Sequence, residues 1–482
     1  MRIKALASVA LSLGLLLLSS VALAQYPDES PGLGNTDTWV MNVHQTLDAN
    51  VVATYVDQNG YASSYLAATI GPNWNYKFPA SSSGVDSGWL GSVAIDSLRP
   101  IAAIAETIFT DVPTGDHWGA SAFNDTAEGA QEIFFPSAVK TGCWRSLLTI
   151  QCVDTEDCEV FMTYRDTEGN LVSGSPFLDT IQSFSQETYD LWDATVNPNI
   201  PNATQMPSGW WGSLQVTSTQ SIAGVARSHC CLGYSLAYNA VPATTATEIF
   251  FPAFNRRNWA DWGGQSDWSS ISVYDLNDST ITIYLNFYDG DGNRVLRFSD
   301  DIPARGSHSY NAKTTPEWPF DELPNPFIGS AVVTSTHPIV GCGSIVRVPS
   351  GRAAGGHYGF SEGYQKLVFP VAYRVKEGDA WRQWAGVSVQ NVDPNNEITI
   401  HVQWMDSDGD VLLGFTDDVP PYASGGYNTR YSGGAYEALG DNWKGTVVVT
   451  TTSSAGIAGL ILNQTVMPTY RYIAQYNGIP VE

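Results

Sequence analysis

The chain has 482 residues, 48 of them acidic and 23 basic, for a net charge of −25. So few cations cannot neutralise a run of phosphates, which excludes nucleic acid and anionic lipid as general partners. The length is enough for several independent hydrophobic cores.

Residues 1–24 read as an export leader. Arg2 and Lys4 precede an apolar run over residues 5–21, and Ala22, Leu23 and Ala24 form a small-x-small cleavage site. No later stretch is long and apolar enough to span a bilayer as a helix. The expectation is a mature chain without a transmembrane segment, secreted or held at the cell surface.

From residue 25 onward one pattern is spelled four times. A Gly-Ser or Gly-Thr strand start (Gly91, Gly212, Gly329, Gly445) leads into a small-residue strand around a single isoleucine. Those isoleucines, Ile101, Ile222, Ile339 and Ile457, recur about every 120 residues, a period too long for a solenoid coil and long enough for a separate core. The predicted units are residues 25–128, 129–243, 244–363 and 364–482.

The first unit opens on Trp39 and turns at Asp57 to Gly60; the second opens on Trp144 and turns at Asp166 to Gly169. The third has alternating runs at residues 268–274 and 281–288, reversed by an acidic turn at residues 289–293. The fourth repeats this at residues 385–392 and 398–405, with its turn at residues 406–410. Period-two alternation rich in β-branched and aromatic residues predicts half-buried strands, and no strong helical periodicity appears after the leader. Short joints built on Phe-Phe-Pro at residues 134–136 and 250–252, and Phe-Pro at 369–370, predict units packed into a stiff rod or a compact arc.

Seven or eight short strands per unit predict an all-β fold, a tandem array of four two-layer sandwiches, with a β-propeller as the alternative. The opening aromatic, the Gly-Ser start and the Pro-Ile strand resemble the tandem immunoglobulin-like sandwich repeats of secreted bacterial surface proteins. The resemblance implies a non-enzymatic, structural or adhesive protein of a surface or extracellular matrix, with self-association, a glycan or a protein as partner.

Six cysteines, Cys143, Cys152, Cys158, Cys230, Cys231 and Cys342, are an even number in an exported chain and read as disulfide candidates. Cys152 and Cys158 are expected to pair across a short loop. Cys143 is expected to reach Cys230 or Cys231, leaving Cys342 for the other. A zinc site on His229, Cys230 and Cys231 is the competing reading.

No cofactor is implied, apart from structural calcium. Asp289, Asp291 and Asn293, and Asp406, Asp408 and Asp410, place oxygens at alternate positions as calcium loops do, although tight hairpins need the same residues. The carboxylate pairs Asp300–Asp301 and Asp417–Asp418 are what a glycoside hydrolase would need, but they recur per unit, and the expectation is no enzyme. Sixteen tryptophans and 23 tyrosines are present. Arg256, Trp259, Asp261 and Trp262 in an insert over residues 255–267 are the candidate glycan-binding face, rings stacking on sugars while polar groups take hydroxyls. A secreted carbohydrate-binding protein is therefore the alternative function. The C-terminal Tyr472, Ile473, Tyr476 and Ile479 repeat the lead-in to a further unit, and read as a tail for head-to-tail assembly.

Overall fold

The computed structural model describes residues 18–22, 33–86, 89, 91–110, 117–126, 129–141, 144–191, 206–207, 209–230, 234–257, 266–313, 318–348, 353–430, 434–467 and 471–481. The fold is all-β. Alternation is carried directly into burial: along Ile398–Met405 the side chains at 398, 400, 402 and 404 are buried while 399 and 401 face solvent. Trp404 is among the largest fully buried side chains.

Each unit is a two-layer sandwich. In the fourth, one layer runs Val411–Val419, Ile398–Met405, Asn442–Thr451, Lys366–Glu377, and the other runs Ser424–Asn428, Ala380–Asn391, Ile457–Val466, Arg471–Asn477. The layers join where Lys366–Glu377 turns into Ala380–Asn391. In order of appearance the layers are thus fourth-third-sixth-first and fifth-second-seventh-eighth. The third unit has the same order, and in the second the sixth and seventh strands are fused into Trp210–Cys230. This order differs from that of antibody-type domains, where the first strand shares a sheet with the second, fifth and fourth; here its longest pairing is with the sixth. Likeness to immunoglobulin repeats therefore stops at the two-layer sandwich. In the first unit, Leu18–Ala22, within the segment read as a leader, lies in the first-strand position against Gly91–Ser97.

The units close into a ring, where the sequence predicted a rod or arc. The eighth strands, His117–Asn124, Tyr234–Asn239, Ala353–Tyr358 and Arg471–Asn477, all touch one another at the centre. At the rim each Asp-Gly turn plugs into the next unit. Ser185 Oγ donates to Gln58 O at 2.7 Å, Ser307 N to Thr167 O at 3.2 Å, and Asn75 N to Ser407 O at 3.2 Å; Gly292 abuts Pro420 and Pro421. The plug at Gly292 joins units three and four, and the plug at Ser407 joins unit four back to unit one. Each receiving loop carries one non-glycine residue at positive φ: Asn73, Phe184, Arg305 and Tyr422, all between 57° and 60°. Circular closure is propeller-like, but each unit is a sandwich instead of a four-stranded blade.

Ring closure explains several sequence features. Asp289 Oδ1 accepts the N–H groups of Asp291 and Asn293, and Asp406 Oδ1 those of Asp408 and Asp410. These turns are self-capped plugs, in which the Asp289 and Asp406 carboxylates, at candidate calcium positions, bind their own backbone. Among the described residues no group of three or more His, Cys, Asp or Glu is placed to hold a metal ion. The tail is not a free connector either. Tyr472, Ile473, Tyr476 and Ile479 are buried, and Ile479–Pro480 pairs with Leu367 and Val368 of its own unit.

Candidate functional site

Four seams separate the units, and repeated positions can be compared across them. Three are filled. Between units three and four, Ala253, Ile345 and Ala353 meet Leu460, Leu462 and Ile473 in one apolar cluster. Between units four and one, Tyr373 packs edge-to-face on Trp39, and its hydroxyl donates to the buried Glu106 at 3.1 Å. Between units one and two, Ala105 and Phe123 pack on Val225 and Ala237, and Arg227 lies over Phe109.

The seam between units two and three is different. Counting from the shared isoleucine, proline and eighth-strand positions, the residues matching Ala253, Ile345, Ala353, Leu460 and Leu462 are Ser137, Ser228, Tyr234, Cys342 and Ser344. All five line a cavity of about 390 Å³. Val139 stands where Tyr373 stands at the closing seam, and Ser272 where Trp39 stands; both line the cavity too. Ile345 to Ser228, Leu460 to Cys342, Leu462 to Ser344, Tyr373 to Val139 and Trp39 to Ser272 each put a smaller group in place of a larger one, forfeiting contacts that a close-packed interior would keep, whereas Ala253 to Ser137 and Ala353 to Tyr234 do not.

The walls are aromatic and hydroxylic. Trp144 stacks on Tyr234 with ring centroids 5.9 Å apart. Trp211 is 40% exposed and donates from Nε1 to Ser137 Oγ at 3.2 Å. The Lys313 ammonium sits 4.1 Å from the ring centre of Trp268. Hydroxyls pair at Ser270–Ser344 (2.8 Å), Ser272–Ser309 (2.6 Å) and Ser146–Ser228 (2.7 Å). Cys342 is a free, buried thiol, hydrogen-bonded with Tyr238 and Ser272; burial pushes it up to about 12. That corrects its reading as a disulfide partner: the sulfur lies in the seam, facing hydroxyls.

The other cysteines fall as follows. Cys152 and Cys158 form the expected disulfide. Cys230 is disulfide-bonded, while Cys143 and Cys231 lie outside the described residues. His229 Nε2 accepts from Arg145 Nε at 2.8 Å and its neighbour Cys230 is oxidised, so neither is arranged for zinc. Of the proposed glycan face, Trp259, Asp261 and Trp262 lie outside the described residues. Arg256 donates to Leu323 O at 2.9 Å and does not line the cavity.

The carboxylate pairs are held by hydroxyls of their own units. Asp300 and Asp417 accept the hydroxyls of Tyr310 and Tyr427 at 2.8 and 2.9 Å, and Asp301 and Asp418 those of Thr282 and Thr399. None reaches the cavity. Read from the sequence, Trp144 and Trp268 only open predicted half-buried strands, and their place in the cavity wall is missed. The signal that would have found it is the run of serines at positions that are aliphatic one unit later.

No protein-family model and no curated protein matches the chain. Among solved structures, the chain is similar to Thermotoga maritima 1070 at 18% identity, covering 25% of this chain and 97% of that one with a TM-score of 0.21. It is similar to Anabaena sensory rhodopsin transducer at 14% identity, covering 22% and 90% with a TM-score of 0.17. A glycosyl hydrolase family 2 member from Bacteroides cellulosilyticus aligns at 9% identity over 68% of this chain and 36% of its own, with a TM-score of 0.15. At these TM-scores the likenesses settle neither fold nor function.

Proposed function

We propose that this chain is an exported, non-enzymatic binding protein whose four sandwich repeats close into a ring, with one seam kept hollow for a hydroxylated ring such as a sugar unit of a glycan. One observation carries the reading: at the seam between units two and three, five positions that form an apolar cluster one seam later become Ser137, Ser228, Tyr234, Cys342 and Ser344, and they line a cavity of about 390 Å³. That volume falls within the range typical of small-ligand pockets. Trp144, Tyr234 and Trp211 offer ring faces, and the serines offer hydroxyl donors and acceptors, the pairing that sugar rings require. The wall offers rings, hydroxyls, an amide, a thiol and an ammonium beside the aliphatic Val139, Leu236 and Val346 and the disulfide-bonded Cys230, a set suited to holding a ligand. Export rests on the leader pattern at residues 1–24, and a surface or matrix setting on the acidic composition.

The test is tryptophan fluorescence of the purified protein titrated with a panel of mono- and disaccharides. Saturable quenching by one class, weakened severalfold to about tenfold in Trp144→Ala and Trp211→Ala, is expected for a ligand stacked on these rings. A panel without any saturable response would overturn the reading.

A further inference from the structure

Lys313 is the one charged side chain among the described residues that line the cavity. In a chain with 48 acidic and 23 basic residues, a pocket wall without a carboxylate runs against composition. Lys313 is exposed, and its ammonium rests on Trp268. Among the described residues it forms no ion pair with a carboxylate.

The fourth unit shows what the same position does where the neighbouring residues are leucines. Arg430 matches Lys313, and its guanidinium lies 4.7 Å from the ring centre of Trp384, which matches Trp268. Both cations are set by the same local turn: Lys313 N donates to Asn311 Oδ1 at 2.9 Å, and Arg430 N to Asn428 Oδ1 at 2.8 Å. A cation seated on tryptophan thus belongs to the repeat. At the seam between units three and four the neighbouring Leu460 and Leu462 fill the space. At the seam between units two and three, Cys342 and Ser344 leave it empty, and the ammonium borders a pocket with room for a counter-charge.

We infer that the ligand of this cavity is a hydroxylated ring bearing one acidic group, a carboxylate or a sulfate or phosphate ester, whose oxygens take the Lys313 ammonium while the ring lies on the Trp144, Tyr234 and Trp211 wall. Trp268 acts as a positioning residue, holding the ammonium at the cavity edge. Charge-assisted hydrogen bonds to such a group are about twice as strong as neutral ones. This inference rests on the binding reading proposed above.

The experiment titrates the full chain with glucose, glucuronic acid, glucose 6-sulfate and glucose 6-phosphate, in parallel with Lys313→Met and Lys313→Arg. The expected result is that at least one acidic sugar binds about tenfold or more tightly than glucose, with the preference erased in Lys313→Met and largely kept in Lys313→Arg. The three acidic arms separate the carboxylate from the two esters. Lys313 is exposed, so unchanged thermal unfolding of both variants serves as the folding control. If glucose binds as tightly as every acidic sugar, or if Lys313→Met keeps the preference, the inference fails while the binding reading stands. If none of the four binds while another sugar of the panel does, the inference fails and the binding reading stands; if nothing in the panel or among these four binds, both fail.

Discussion

The side-chain amide of Asn239 straddles the backbone of Asn124 in the preceding unit: Asn124 N donates to Asn239 Oδ1 at 3.0 Å, and Asn239 Nδ2 donates to Asn124 O at 2.7 Å. Asn124 does the same to Asn477 of the fourth unit, and Asn477 to Tyr358 of the third. An amide presents one donor and one acceptor at the spacing of a strand edge, so each asparagine stands in for a missing ladder partner. The fourth link is absent, because Tyr358 occupies the asparagine position and a phenol cannot make the paired contact. That gap falls at the seam between units two and three, which also holds the cavity.

Asn124→Ala is expected to leave the buried N–H and C=O of Asn477 without partners, at a cost of about 2 kcal/mol or more. Because this clamp ties unit one to unit four, limited proteolysis should accelerate together with the fall in the urea midpoint. A variant that unfolds at the wild-type midpoint would show that the clamp contributes nothing to closure.

The rim plugs give a second test with a control in the same kind of turn. A Cβ at Gly169, whose φ is +80°, would lie 2.1 Å from Ala304 O of the next unit; at Gly290 it would meet nothing within 4 Å. Gly169→Ala combines positive-φ strain of about 1–2 kcal/mol with a clash against backbone. It should lower stability by about 2–4 kcal/mol, while Gly290→Ala stays within about 0.5 kcal/mol. Equal effects in denaturant titrations would mean that the plug is not seated.

The tyrosine–aspartate pairs recur with one instructive exception. Tyr189, Tyr310 and Tyr427 donate to Asp179, Asp300 and Asp417. At the matching positions of the first unit stand Phe78 and Ala68, so hydroxyl and carboxylate are lost together. Removing one partner of a largely buried hydrogen bond costs more than removing both. Asp417→Ala is therefore expected to destabilise by about 1–2 kcal/mol, with Tyr427→Phe added to it restoring part of that loss. A double mutant cycle with no coupling would reduce the pair to coincidence.

Much of this was legible in the chain because strand alternation, Asp-Gly turns and repeated isoleucines are local signals. The Cys152–Cys158 bridge was legible too, with its six-residue separation. Closure was not. It depends on contacts such as Asn124 with Asn477, 353 residues apart, and no periodicity reports whether a fourth unit returns to the first. The acidic turns were ambiguous for a physical reason: a carboxylate that caps its own turn and one that binds a cation need the same spacing. The cavity was hidden because Ser228 or Ser344 alone looks like any strand serine. Only register against Ile345 and Leu462 shows that something bulky has been withdrawn.

The closing seam also predicts a pH dependence. Burial, with Asp37 nearby and against the Tyr373 hydrogen bond, holds Glu106 above the usual carboxylate range. An acid whose folded-state pKa is raised binds more protons folded than unfolded between the two values. Its contribution to stability is therefore greatest below the unfolded value, near 4.5, and declines as pH rises through the folded value. Glu106→Gln removes that titration while keeping an acceptor for Tyr373. The variant should show a flatter dependence of the urea midpoint on pH above 4.5 than wild type; parallel curves would place the titration elsewhere.

Filling the cavity should separate its function from its cost. Ser344 occupies the position that Leu462 fills at the next seam, inside the apolar cluster with Ile345 and Leu460. Ser344→Leu with Cys342→Leu rebuilds the packed pair in the hollow seam. The double variant buries two aliphatic side chains, each contributing about 1.5–3 kcal/mol when fully covered, partly offset by the lost Ser270–Ser344 hydrogen bond and those of Cys342 with Tyr238 and Ser272. Net stabilisation of about 1–3 kcal/mol and loss of saturable ligand quenching are expected together, since the bulk enters the space a ligand would take. Stabilisation with binding retained would move the site off this seam. Destabilisation with binding retained would mean that the serine and thiol are there for packing, and that the hollow is a by-product of how units two and three meet.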